Sequence, residues 1–140
     1  MENSINERSV PFSRTRDHHA NETAEDYVEA IADIIADGGE CRVLHLARHF
    51  NVSHVTVSRI VRRLQSEKLL TTEPYRPIEL TSEGTKLANR VRQRHQIVFD
   101  FLMSIGVDQR TAEIDSEGIE HHVSPKTLAA MKRFLKERTK

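Results

Sequence analysis

Residues 43–68 read VLHLARHFNVSHVTVSRIVRRLQSEK, and this stretch decides the fold. Val43, Leu46, Ala47 and Phe50 recur at helical spacing, and Asn51-Val52-Ser53 then interrupts the pattern. Val57, Ile60, Val61 and Leu64 resume it at i, i+3, i+4 and i+7, a clean buried stripe. The tripeptide makes a tight turn. Ser53 caps the helix that follows, over about 54–68, because its hydroxyl accepts a bond from an amide that the first helical turn leaves unpaired. Opposite the stripe stand His54, Thr56, Ser58, Arg59, Arg62 and Arg63. A buried stripe that fixes the second helix and frees its polar face for a major groove is the requirement of a helix-turn-helix.

Working outward, a first helix is expected from near Thr23, with Tyr27, Ile31, Ile34 and Ile35 at helical spacing and Gly38-Gly39 ending it. Residues 1–22 are polar, lack apolar periodicity and read as a disordered arm. Downstream, extended pieces at 69–73 and 78–80 flank Pro74-Tyr75-Arg76-Pro77 and read as a β-wing. Thr81-Ser82-Glu83-Gly84 opens a long helix to about 105, with Leu87, Val91, Val98 and Leu102 on its core side. Two further helices near 108–122 and 124–138 finish the chain, the last with Pro125 at the tolerated first position. The predicted architecture is mainly α: an arm over 1–22, a winged helix-turn-helix over 23–82 and an all-helical domain over 83–140.

Composition agrees with that outline and removes other classes. With 37% hydrophobic and 30% charged residues, no Trp and little Gly or Pro, the chain suits a helical protein better than a β-sandwich. Its one cysteine, Cys41, excludes a disulfide framework and a cysteine-based zinc site. No apolar run approaches the roughly 18 residues of a membrane span, and no secretory leader opens the chain, so a cytoplasmic protein without a membrane partner is expected. The formal net charge of zero hides an asymmetry. Residues 42–68 carry Arg42, Arg48, Arg59, Arg62, Arg63 and Lys68 against Glu67; residues 108–122 carry Asp108, Glu113, Asp115, Glu117 and Glu120 against Arg110. A basic block followed by an acidic one is what a polyanion and a cation as partners would require, and ordinary surface charge accounts for it equally well.

The basic face gives the first functional expectation, binding to double-stranded operator DNA. Arg59 has the reach to pair with guanine edges, and His54, Val55 and Thr56 stand at the helix end that meets bases first. Arg62 and Arg63 are placed to touch phosphates, which position a protein without specifying sequence. A helical domain with merely solvated arginines is the alternative, but turn, stripe and basic face all agree on DNA.

A second constellation is carboxylate and imidazole. Glu117, Glu120 and His121 stand at i, i+3 and i+4 on one expected helix face, and Asp26 and Glu29 repeat the i, i+3 spacing on the first helix. His95 lies in the long helix between Val91 and Val98. Carboxylates with imidazoles and no thiolate favour a hard divalent ion such as Mn²⁺ over Zn²⁺ or Cu⁺. Spacing alone also fits a solvated acidic face, a core histidine, and acidic residues complementing a helix N-terminus. His122 is set aside because it points about 100° from the cluster on an ideal helix.

The chain resembles the DtxR/MntR family of metalloregulators, specifically its manganese-sensing branch. The resemblance rests on Glu25-Asp26-Tyr27-Val28-Glu29, Val52-Ser53 with Thr56-Val57, Tyr75-Arg76 with Leu80-Thr81, Arg94-His95, and Glu117-Gly118-Ile119-Glu120-His121-His122, which occur in family order. It implies a helical metal-sensing and dimerisation domain behind the DNA-binding half, and hence a homodimer. It further implies Asp26, Glu29, His95, Glu117, Glu120 and His121 as ligands of Mn(II), two ions per subunit, with Arg76 of the wing in a minor groove. The iron-sensing branch has Met where Asp26 stands and Cys where Glu117 stands; an iron- or zinc-responsive repressor is the alternative. Pro77 departs from the glycine common at that wing position, and proline fixes φ and removes an amide donor.

The function expected is therefore a manganese-dependent repressor of manganese uptake genes. A metallohydrolase on the same carboxylates would need a substrate cleft and an open coordination position. Neither a nucleophile motif nor a Gly-rich phosphate loop accompanies them, so no enzyme and no small-molecule substrate are expected.

Overall fold

The computed structural model describes residues 2–138, with side chains over 19–138. Its elements are α1 (Glu2–Gly38), α2 (Val43–Phe50), α3 (His54–Ser66), β1 (Leu70–Thr71), β2 (Glu79–Leu80), α4 (Ser82–Ser104), α5 (Gln109–Ile119) and α6 (Pro125–Arg138). Two compact units form, one from 24–92 and one from 1–23 together with 93–140.

The unit of 24–92 is built around the stripes read above. Tyr27 and Ile31 of α1, Leu46 and Ala47 of α2, and Val57, Val61 and Leu64 of α3 are buried in one cluster with Cys41, Leu70 and Ile78. Tyr27 stacks on Phe50 with ring centroids 4.4 Å apart, an offset aromatic contact that fixes α1 against α2. The turn between α2 and α3 depends on Asn51, whose φ of 54° is a left-handed conformation that asparagine tolerates. Ser53 caps α3 as expected, its Oγ accepting from the Thr56 amide at 3.1 Å.

The wing is shorter than its sequence suggests. β1 and β2 are antiparallel with Leu70 opposite Leu80 and Thr71 opposite Glu79, and Ile78 donates to the Cys41 carbonyl at 2.7 Å. Thus the 69–73 and 78–80 pieces contribute two residues each to the ladder. α3 also stops two residues early, at Ser66, where Lys68 turns into the left-handed region with φ 64°. Thr81 then ties this corner: its Oγ1 donates to the Lys68 carbonyl at 2.7 Å and accepts from the Gly84 amide at 3.1 Å, capping α4.

α1 begins upstream of the expected start near Thr23. His19, Ala20, Asn21 and Glu22, read as the end of a disordered arm, are helical, and Thr23 Oγ1 donates to the His19 carbonyl at 2.9 Å. Polarity alone does not distinguish coil from a helix whose backbone bonds are satisfied internally. The side chains of the remainder of that arm, 1–18, lie outside the described residues.

In the second unit α4 ends in a Schellman turn, with Val107 donating to the Leu102 carbonyl at 3.0 Å and Gly106 at φ 100°. Asp108 caps α5 by accepting from the Thr111 amide at 3.0 Å, and that bond draws its carboxyl below the usual value. Ser124 caps α6 through the Thr127 amide at 3.2 Å. Phe101 meets Phe134 edge to face at 5.5 Å, while Ile105, Ile114 and Ile119 stay exposed. No helix among the described residues is long and apolar enough to cross a membrane.

Candidate nucleic-acid interface and metal centre

Burial of Val57, Val61 and Leu64 leaves the opposite face of α3 outward. His54, Arg59 and Arg62 are exposed, and Val55, at 80% exposure, projects from the first turn. A β-branched apolar side chain held in water at a helix N-terminus has no packing role, and it matches the methyl contacts that thymine offers. Thr56 and Ser58 are half-buried; the Thr56 hydroxyl lies 2.9 Å from Ser53 Oγ, so it is engaged in the cap. Arg63 is half-buried as well and pairs with Glu67 at 3.5 Å, which makes it less available to phosphate than Arg62. At the wing tip Tyr75 is 98% exposed at φ 66°, and Arg76 is exposed with a loose ion pair to Glu73 at 3.5 Å. Arg42 donates to the Tyr75 carbonyl at 3.4 Å, tying the wing tip to the start of α2.

In the second unit the carboxylates and imidazoles expected as ligands form two pairs. His95 Nδ1 lies 3.6 Å from Glu117 Oε1, and Glu120 Oε1 lies 2.9 Å from His121 Nδ1. Glu117 and Glu120 keep helical spacing, and His121 of the expected face lies just beyond the helix. α5 ends at Ile119, Glu120 is its C-cap, bonding the Ser116 carbonyl at 3.1 Å, and His121 and His122 lie in the turn beyond. Glu117 is 57% exposed while Glu120 is 1% exposed. Asp26 and Glu29 lie one turn apart on α1 in the other unit, both half-buried.

Three residues joined to this region carried no assigned ligand role in the sequence. Arg94 Nε lies 3.1 Å from Glu120 Oε2. Glu22 Oε2 lies 3.3 Å from His122 Nε2, and a Glu22 carboxylate oxygen is within 4.8 Å of a His121 ring nitrogen. A signal for Glu22 was present: Glu22, Asp26 and Glu29 follow at i, i+4 and i+7. The polar run of 1–22 hides it. His122 points away from the cluster only on a helix that continues to it, and α5 ends at Ile119. For Arg94 the signal is the adjacent motif histidine, but nothing local reveals that Glu120 is buried.

The donor set fits a hard divalent cation. His95 Nδ1 is buried and makes no hydrogen bond among the described residues, an uncommon state for a ring nitrogen unless a ligand completes it. The donors of this unit are carboxylate oxygens and imidazole nitrogens; the chain's one cysteine, Cys41, belongs to the core of 24–92, its thiol pushed up to about 11 by burial.

A winged helix-turn-helix joined to a carboxylate–imidazole unit defines the class as a DNA-binding, metal-binding transcriptional regulator. The comparisons with known proteins agree. The family described as iron-dependent repressor matches twice, through its N-terminal DNA-binding domain at residues 19–78 and its metal-binding and dimerisation domain at 81–140. The transcriptional regulator MntR of Escherichia coli is 41% identical over 133 residues, 95% of this chain and 86% of that protein. The HTH-type regulator MntR of Bacillus subtilis is 40% identical over 100 residues, 71% of this chain and 70% of that one. A solved manganese-dependent transcriptional repressor in complex with manganese superposes with a TM-score of 0.71 at 26% identity, covering 81% of this chain and 52% of that chain. The manganese regulator SloR gives 0.70 at 25%, covering 81% and 53%. This chain spans about half the length of those two structures. It belongs to the DtxR/MntR family of iron-dependent-repressor-like metalloregulators, on the manganese-sensing branch.

Proposed function

We propose that the chain is a Mn(II)-activated repressor of manganese uptake genes, acting in the cytoplasm as a homodimer on operator DNA. The observation that carries the metal half is the buried His95 Nδ1, without a hydrogen bond among the described residues, 3.6 Å from the Glu117 carboxylate. Its ligands are drawn from Asp26, Glu29, His95, Glu117, Glu120 and His121, numerous enough for two ions per subunit. A bound cation supplies positive charge that offsets repulsion among the four carboxylates. The DNA half rests on the exposed His54, Val55, Arg59 and Arg62 of α3, with Arg76 of the wing alongside.

The unliganded dimer samples recognition-helix spacings that do not match half-sites one DNA turn apart, about 34 Å. Metal raises operator affinity by favouring the matching arrangement, a population shift. Coupling of this kind is about 5- to 150-fold, and operator DNA must tighten Mn²⁺ binding by the same factor. The test is operator affinity across Mn²⁺, Fe²⁺, Co²⁺ and Zn²⁺ with a chelator control. Chelated protein that binds the operator as tightly as the Mn²⁺-loaded form removes the metalloregulator reading and leaves a DNA-binding module.

A further inference from the structure

Glu120 is the most completely buried acid among the described residues, at 1% exposure. An ionised carboxylate in that position is stable only if paired and hydrogen-bonded, because the lost hydration is large. Both oxygens are accounted for: Oε1 by His121 Nδ1 at 2.9 Å and Oε2 by Arg94 Nε at 3.1 Å. The two partners differ in kind. Imidazole can be neutral, and in a ligand role it is; guanidinium keeps its charge at any pH a protein survives. Arg94 is therefore a permanent cation on the carboxylate.

We infer that Arg94 is a built-in counter-cation that stands in for the metal on Glu120, holding the metal-free site folded and lowering its affinity for a divalent ion. The inference rests on the proposed metal reading. A cation arriving at Glu120 finds the carboxylate already neutralised, and it must either share the oxygens with a like charge or displace the guanidinium. Both reduce the gain on binding, since like charges at close range repel strongly in a partly buried site. Conversely, with the metal absent, Arg94 removes the cost of an uncompensated buried anion, so the empty sensor stays structured. Arg94 is a positioning and charge-setting residue here. It is not a ligand.

The experiment uses the full chain without DNA, measuring Mn²⁺ affinity by calorimetric titration and the Tm of the metal-free form. Arg94→Gln keeps a donor for Oε2 and removes the charge; it is expected to tighten Mn²⁺ binding about tenfold, equivalent to about 1.4 kcal/mol, and to lower the metal-free Tm. Arg94→Lys keeps the charge and is expected to stay within about threefold of wild type, equivalent to about 0.7 kcal/mol. Unchanged or weaker binding by Arg94→Gln overturns the inference, because a residue that only orients Glu120 toward metal gives that result. If Arg94→Gln does not fold without metal, the double variant with Glu120→Gln decides. It replaces the ion pair by neutral amides and is expected to recover the metal-free fold while losing Mn²⁺ affinity. Failure of the double variant to fold overturns the inference. Wild-type protein that binds no Mn²⁺ is a different result, and it removes the proposed function itself.

Discussion

His95 Nδ1 faces Glu117 Oε1 across 3.6 Å, within ion-pair range and beyond a hydrogen bond. The imidazole thus gains little from its neighbour, and its removal costs the metal-free fold little. His95→Ala is expected to leave the metal-free Tm near that of wild type while losing the stabilisation by metal. For wild type, Mn²⁺ at about 100 times its Kd adds about 2.7 kcal/mol. Thermal denaturation with and without Mn²⁺ measures both quantities, and a variant that keeps the full Mn²⁺ shift shows that His95 is not a ligand.

A contrast between neighbouring arginines tests the DNA face. Arg59 is exposed on α3, whereas Arg63 is half-buried against Glu67. Arg59→Ala is expected to weaken specific operator binding by about 1–3 kcal/mol and relax sequence preference. Arg62→Ala should weaken all sequences alike and reduce the salt slope by about one. Arg63→Ala should do less than either. Fluorescence anisotropy on operator and random duplexes over a salt series separates the three; equal losses on both duplexes for Arg59→Ala would refute base readout by that side chain.

Gly84 sits where α4 starts against β1, and a Cβ there would fall 1.9 Å from the Leu69 carbonyl oxygen and 3.0 Å from its carbon. Both are backbone atoms, so no side-chain rotation relieves the contact. Gly84→Ala is expected to cost about 3 kcal/mol or more, at the upper end for overpacking. Urea denaturation checks this, and a loss below about 1 kcal/mol, ordinary for a surface change, would show that the α4 start shifts freely.

Cys41 is fully buried and its thiol is pushed up to about 11 by desolvation. Only the thiolate reacts with alkylating reagents. The folded protein at pH 8 is expected to react far more slowly than the urea-unfolded chain. A folded-state pKa raised above the unfolded one gives stability that is whole below the unfolded value, about 9, and is lost as pH rises through about 11. Iodoacetamide labelling followed by mass spectrometry is the check; equal rates in folded and unfolded protein would place Cys41 outside the core.

The helix-turn-helix was legible because every feature that defines it is local. Asn51 and Ser53 specify the turn, and Val57, Ile60, Val61 and Leu64 specify which side of α3 is buried, all within one uninterrupted stretch. The helix ends were less legible. Lys68 in a left-handed conformation stops α3 early, and Ile119 ends α5 before the metal motif is complete, because corners are set by what packs and caps around them.

The amino-acid sequence by itself determined the order of elements, the basic reading face and the choice of hard donors, since periodicity, turn chemistry and ligand type are carried by residues close together in the chain. Only the tertiary structure decided how those donors are used. It buried Glu120 and exposed Glu117 three residues earlier, brought Arg94 to Glu120 across 26 positions, set His122 against Glu22, and left His95 Nδ1 without a hydrogen bond among the described residues. The physical reason is that a side chain's partner depends on which surfaces lose water together when helices pack, and that loss is a property of contacts between distant segments.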